Sequence, residues 1–423
     1  MNDADSGLLS RFVHYSQNRF QLSLLAAGLT DGRSQPQIPI RPIALSLILG
    51  EVVQVPSLLQ LQEETKLPQW QRWMGYQRPI SHDTFGYVSE RLDPGQLRRA
   101  ARFIHRKLKR GKAFEAGKIN GLLCVNLDAN EQFCSDHRCC EHCLTREITS
   151  KNAAGQEVKK TQYYHKQVYA QLSGPELSVI LDFEPLRQGE EECAAALRLL
   201  RRLRADHGPR FFDVVVVDAW YAGGPFLKTV VEELGWPVVA VLKQERFEVH
   251  QEALVLSREK PGQVVERNGR CVELWNVPAL RFSDRYQTPV RVVRVRETWI
   301  QREQKGPEWI QNQKEQNWMW VVAGDLDGYG GAVIRDIGHA RWKIENHAFG
   351  QLTQHWHLTH CAHHHPVAVL ALLWIKLLAF TLFQAFAVLP GKLYRMGKAT
   401  FQELRKQIYR SLFCGQPTRL FSG

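Results

Sequence analysis

The chain has 423 residues, 44% of them hydrophobic, too long for one ordinary core and apolar enough to bury two or three, which excludes a disordered or fibrous protein. Its 55 Lys and Arg against 43 Asp and Glu leave a net charge of +12, a balance that favours a polyanionic partner such as nucleic acid. Nine cysteines, four of them within positions 134–143, suit a reducing compartment and a metal site better than a disulfide framework, and the opening Met-Asn-Asp-Ala-Asp-Ser lacks the features of a secretory signal, so a cytoplasmic protein is expected.

Residues 1–117 read as a helical, DNA-binding region, with helices over 8–29, 42–53 and 57–65. A further helix opens with Asp93 as N-cap and Pro94 in its first turn. Along it Arg98, Arg102, Arg106 and Arg110 recur every four residues opposite Leu97, Ala101, Ile104 and Leu108. Such a helix packs one face on a core and turns the other to phosphates, or simply to solvent; the absence of acidic residues in the run favours phosphates.

The first part of the core spans 118–243. A strand over 121–128 ends in Asp128, strands over 162–172 and 177–183 follow, and a helix over 190–204 crosses into Val-Val-Val-Val at 214–217, which has no helical period and closes with Asp218. A right-handed crossover can set these two acidic strands side by side and parallel, with both carboxylates at one edge, although Asp218 can equally cap the next helix. A helix over 226–234 and a strand over 237–242 complete this part.

Residues 244–322 change to short alternating strands (253–257, 263–265, 272–275, 290–298 and 318–322), a β-rich insertion whose Trp275, Trp299, Trp309, Trp318 and Trp320 serve a core or stack on bases. The core resumes over 323–390. After Gly330-Gly331 comes a helix with Arg341 and Glu345 one turn apart at the border of its buried face, a spacing that also suits a simple salt bridge. Three carboxylates brought to one point repel unless a cation neutralises them, and oxygen-only ligands favour Mg2+ or Mn2+. The apolar run 366–390 is long enough to cross a membrane, but Lys376 near its middle and Gln384 make a buried core helix the expectation. Residues 391–423 form a basic tail, amphipathic over 392–419, suited to DNA or to a second subunit.

Val-Asn-Leu-Asp128, Val-Val-Val-Asp218-Ala-Trp-Tyr and Ala-Arg341-Trp-Lys-Ile-Glu345-Asn resemble the three acidic motifs of DDE transposases of bacterial insertion sequences. The group most similar carries Tyr-x2-Arg-x3-Glu-x6-Lys around its third carboxylate and a β-rich insertion before its last catalytic helix. Gly338 stands where that signature has Tyr, and Leu352 where it has Lys. The resemblance implies an α/β fold with a ribonuclease H-like mixed sheet, a β-rich insertion, a helical N-terminal region and a helical tail. It also implies two-metal cleavage of double-stranded DNA at the ends of a mobile element and joining to target DNA by a homodimer. In that scheme Asp128 bridges two Mg2+ (or Mn2+) ions, Asp218 and Glu345 complete one site each, and Arg341 holds a phosphate or orients Glu345. The rival readings are a nuclease without strand transfer and a DNA-binding derivative without catalysis.

Cys140-x2-Cys143 is a zinc-knuckle spacing, with Cys134, Cys139 and His165 as further candidates for a structural Zn2+ beside Asp128; the alternative is a set of reduced thiols in a hairpin. The histidines at 355–365 precede Pro366 and read as a polar helix cap.

Overall fold

The computed structural model describes residues 7–151, 155–173, 177–243, 247–259, 261–305, 308–388 and 400–413. Its N-terminal part is helical: α1 (Leu8–Phe20), α2 (Leu22–Ala27), α3 (Ile40–Val52), α4 (Leu58–Thr65), α5 (Pro68–Met74), α6 (His82–Ser89) and α7 (Pro94–Arg110). The single helix expected over 8–29 breaks at Gln21, whose φ of 57° and ψ of 43° end α1 in the left-handed region. Helix α7 starts as its sequence indicates, with the Asp93 side chain accepting from the Gly95 N–H at 2.8 Å.

The sheet follows in chain order as β1 (Cys124–Ser135), β2 (Leu144–Lys151), β3 (Glu157–Ser173), β4 (Ser178–Pro185), helix α8 (Glu192–His207), β5 (Val214–Val217), the short helix α9 (Gly224–Lys228) and β6 (Val238–Val241). Strand β3 lies between β4 and β1, antiparallel to both, while β1, β5 and β6 run parallel. The resulting order β4-β3-β1-β5-β6 is the ribonuclease H-like mixed sheet expected from the sequence. All four valines of β5 are fully buried, as a strand covered on both faces requires. Strand β1 does not stop at Asp128; it runs on to Ser135 because β3 keeps pairing with it after β5 has left.

The insertion adds helix α10 (Glu248–Leu256) and strands β7 (Gln263–Arg267), β8 (Arg270–Leu280), β9 (Val290–Lys305) and β10 (Glu308–Ala323). It continues the core sheet: β10 pairs antiparallel with β6, and β9, β8 and β7 follow outward. The expected strand at 253–257 is instead the end of α10, because Val249 and Ala253 bury one helical face four residues apart. The tryptophans divide: Trp320 is buried, Trp309 is exposed, and Trp275, Trp299 and Trp318 lie between.

Helices α11 (Gly331–Ala340), α12 (Gly350–Trp356), α13 (Pro366–Val388) and α14 (Phe401–Arg410) complete the chain. The apolar helix α13 is buried in the core, and its Lys376 and Gln384 find protein partners there. Lys376 Nζ donates to both Glu51 oxygens (2.9 and 2.7 Å) and to the Trp356 carbonyl (2.7 Å), and Gln384 accepts from the Ser178 N–H at 2.7 Å. The amphipathic face of α14 turns to its own chain, not to DNA or a second subunit. Leu404 and Ile408 are buried, and the buried Arg405 donates to the carbonyls of Val52 (2.9 Å), Glu51 (2.5 Å) and His355. The rest of the basic stretch, 392–399 and 414–419, lies outside the described residues.

The cationic face of α7 departs from the phosphate-ridge expectation. Arg98 Nε lies 3.2 Å from the buried Asp182, Arg102 Nη1 2.6 Å from Asp206, and Arg106 donates to the Asp206 carbonyl at 2.5 Å. Arg98 and Arg102 therefore dock α7 on β4 and α8, while Arg106, despite its contact to Asp206, and Arg110 remain exposed. The opposing carboxylates come from distant elements, which no spacing within α7 reveals. Arg98→Ala is expected to lower stability in urea unfolding by about 1–2 kcal/mol, since Asp182 keeps Arg202 as a partner, whereas Arg110→Ala stays within about 0.5 kcal/mol of the parent.

Candidate active site

Two strands and one helix carry the site. The parallel β1–β5 ladder pairs Cys124 with Val214, Val125 with Val215 and Asn126 with Val216. Followed past its last pair, this register brings Asp128 and Asp218 to the same end of the sheet, near enough for the Asp218 charge to act on Asp128. Asp218 keeps an extended backbone (φ −83°, ψ −178°), and its Oδ1 accepts from the Trp220 N–H at 2.8 Å, capping the 3-10 turn Ala219–Tyr221. Capping and proximity to Asp128, read from the sequence as alternatives, occur together.

The third carboxylate comes from the helical rod that starts as α11 and continues through a π-helical segment, Ile344–Phe349, into α12. One-turn π insertions occur frequently at functional sites, and this one carries Glu345. Arg341, one turn earlier, is buried and ties the rod to the sheet: its Nη1 lies 2.6 Å from Glu345 Oε1 and 3.3 Å from Asp128 Oδ2. Its Nε is buried with no hydrogen-bond acceptor among the described residues.

The electrostatics follow from this crowding. Burial pushes the Asp128 carboxyl up to about 7; Arg341 and the Ala129 N–H oppose the rise, and the negative charges of Glu345 and Asp218 add to it. The influence of both other carboxylates on Asp128 means that the three share one electrostatic neighbourhood. Asp218 and Glu345 lie nearer the solvent, Glu345 with 45% of its side chain exposed, so a ligand can approach from that side.

A buried polar chain holds strand and rod in register. Asn126 Nδ2 donates to Gln171 Oε1 at 3.1 Å, while Gln171 Nε2 donates to Ser178 Oγ at 2.5 Å and to the Lys343 carbonyl at 3.2 Å, two residues before Glu345. Ser178 N–H then meets Gln384, and Gln384 Nε2 donates to Gln351 at 3.1 Å. These positioning residues escape sequence reading because each is a lone amide in an apolar run.

The insertion reaches the rod from the other side. Glu297 on β9 is fully buried and accepts from Arg335 Nε (2.7 Å), Arg270 Nη1 (2.6 Å) and His339 Nε2 (2.8 Å). Burial opposes its ionisation, yet these three donors prevail and lower its carboxyl to about 2. Gly338, at the position of the signature Tyr, lies against Trp320: a Cβ there would come within 2.3 Å of the indole Nε1. Leu352, at the position of the signature Lys, is fully buried. Both departures are packing features of this chain.

Of the five expected zinc ligands, Cys140, Cys143 and His165 converge, whereas Cys134 and Cys139 are exposed and outside the group. His364 joins the three instead. Its signal lay in the 363–365 run before Pro366, which reads as a polar cap.

Fold and site together define an α/β protein that presents three acidic side chains at one edge of a mixed sheet, beside a buried arginine. The family model of the transposase DDE domain matches residues 155–382, more than half of the chain, and the chain belongs to that family. The match contains Asp218, Arg341 and Glu345 and begins after Asp128. A solved piggyBac transposase synaptic complex with hairpin DNA is a distant likeness, with 11% identity and a TM-score of 0.45 over 97% of this chain and 80% of that one. No curated protein matches.

Two measurements check this account. Gly338→Tyr is expected to destabilise the chain by about 3 kcal/mol or more in urea unfolding, and Trp320→Gly to cost less on that background than on the parent. For Glu297 the folded value lies below the unfolded one, near 4.5, so its stabilisation is complete above that value and is lost as pH falls toward 2. Glu297→Gln should therefore cost about 2–3 kcal/mol at pH 7, with the gap to the parent closing between about pH 4.5 and pH 2.

Proposed function

We propose that this transposase cuts the ends of a mobile DNA element and joins them to target DNA, with Asp128, Asp218 and Glu345 as the ligands of two divalent cations. The observation that carries the reading is the position of Arg341, whose guanidinium bridges Asp128 and Glu345 beside the strand that presents Asp218. A single positive charge lies within a set of three carboxylates, which leaves a deficit that Mg2+ or Mn2+ suits, and the donors are all oxygen. Bound cations of this kind supply an activated oxygen nucleophile and neutralise charge at the phosphorane-like transition state.

The chain's own residues do the rest. Burial raises the Asp128 carboxyl to about 7, so a cation held there would have to displace its proton. Arg341 Nη1 holds Asp128 and Glu345, and its Nε, buried with no acceptor among the described residues, would donate to a phosphate oxygen. In the first step water attacks phosphorus, the P–O3′ bond breaks, and the element end leaves as a 3′-hydroxyl. In the second, that hydroxyl attacks a target phosphodiester and displaces another 3′-oxygen, conserving the number of phosphodiester bonds. Two copies of the chain would hold two ends, and the reaction would take place in the cytoplasm.

The test uses the purified chain, Mg2+ or Mn2+, and a duplex carrying the inverted repeats that flank its reading frame. The parent is expected to cleave the end and join it to a target plasmid. Asp128→Asn, Asp218→Asn and Glu345→Gln should each lose about 10³-fold or more in cleavage while keeping the parent's circular dichroism spectrum. Cleavage without joining would reduce the protein to a nuclease, and parent-like cleavage by any of the three variants would sink the catalytic assignment.

A further inference from the structure

We infer that Cys140, Cys143, His165 and His364 form a structural zinc site, separate from the carboxylate site. Their ligand atoms all lie within 4.8 Å of one another. Cys140 Sγ and Cys143 Sγ are 3.7 Å apart, both sulfurs are 3.4 Å from His165 Nε2, and Cys143 Sγ is 3.5 Å from His364 Nε2. With Zn–S of about 2.3 Å and Zn–N of about 2.05 Å, a tetrahedron has S–S edges of about 3.8 Å and S–N edges of about 3.5 Å. All four separations match those edges.

The bland alternatives fit less of this. A disulfide needs sulfurs about 2.05 Å apart, and a thiol–imidazole hydrogen bond accounts for one pair, not for two sulfurs and two ring nitrogens arranged around one point. Within the knuckle, the Cys140 N–H donates to Cys143 Sγ at 3.2 Å and the Cys143 N–H to the Cys140 carbonyl at 3.0 Å. An N–H aimed at sulfur favours the thiolate form that a metal requires. Two thiolates with two imidazoles select zinc over the hard cations that suit the oxygen-only site.

The ligands come from three separate parts of the chain. Cys140 and Cys143 lie between β1 and β2, His165 lies on β3 opposite Phe133, and His364 lies just before α13. The Phe133 ring, 4.9 Å from the His364 ring, covers one side. A metal here would fasten the far end of the β1–β3 ladder, whose strand β1 carries Asp128, to the start of the core helix, and so restrain β1 against the rod that carries Glu345.

The test measures metal in the purified full chain by mass spectrometry. About one zinc per chain is expected, and Co2+ in its place should give the intense visible bands of a tetrahedral two-thiolate site. Cys143→Ser and His364→Ala should each lose at least about five-sixths of that metal, whereas Cys134→Ser, Cys139→Ser and Asp218→Ala keep it. Should the two ligand variants fail to fold, the parent refolded with and without Zn2+ decides: recovery of native circular dichroism only with the metal is expected. Zinc retained in the ligand variants, a Cys140–Cys143 disulfide in the intact mass, or a native chain that neither holds zinc nor gives Co2+ bands would overturn the assignment.

Discussion

The structure depends on holding like charges together. Asp218, Asp128 and Glu345 belong to the end of a tetravaline strand, its neighbour and a distant helical rod, and each placement is dictated by the burial of apolar neighbours. The mutual repulsion of the three is the cost of that arrangement. Arg341 offsets part of it through contacts to Asp128 and Glu345, and protonation of Asp128 near neutrality offsets more. What remains is a carboxylate cluster whose repulsion the protein's own counter-charge offsets only in part.

Precision in such a site comes from what surrounds the carboxylates. The amides of Asn126, Gln171, Gln384 and Gln351 cross the apolar core as one hydrogen-bonded chain, and the Lys343 carbonyl at its branch fixes the turn that bears Glu345. Buried polar groups of this kind add little net stability but penalise every misregistered packing, since slippage leaves an amide unpaired. On the opposite side, Glu297 and the side chains of Arg335, Arg270 and His339 hold α11 against the insertion strands. The rod is thus gripped from the core sheet and from the sheet's extension, and the insertion acts as part of the site's frame.

Much of this was legible in the sequence because the relevant signals are local. Val214–Val217 without helical period, the i, i+4 spacing of Arg341 and Glu345, and the capped start of α7 each depend on neighbours in the chain. What was missed depends on distant partners. The arginines of α7 form a regular cationic row, but Asp182 and Asp206 lie far along the chain and engage Arg98 and Arg102, leaving Arg106 and Arg110 exposed. The amphipathic α14 likewise covers its own core. His364 could not be paired with Cys140 and Cys143 without knowing that the start of α13 returns to the β1–β2 loop. Strand 253–257 failed for a different reason: a short apolar run carries too little length to separate a buried strand from a helix end.

Gly338 and Leu352, which stand where the Tyr-x2-Arg-x3-Glu-x6-Lys pattern has Tyr and Lys, are both set by packing. A tyrosine at 338 and the indole of Trp320 compete for one volume, and this chain fills it from the insertion side, stacking Trp320 on Trp318 with ring centroids 5.9 Å apart. Trp342 and His339 close over the Trp318 ring at 4.8 and 5.4 Å, so the aromatic surface that a tyrosine would offer from the rod is supplied largely by the sheet. Leu352, fully buried, commits the next turn of the rod to the core, where a lysine would have to reach solvent past Trp356 and Phe349. Gly338 thus belongs to a tight junction between insertion and rod and Leu352 to the core, while Arg341 holds Asp128 and Glu345 at the site.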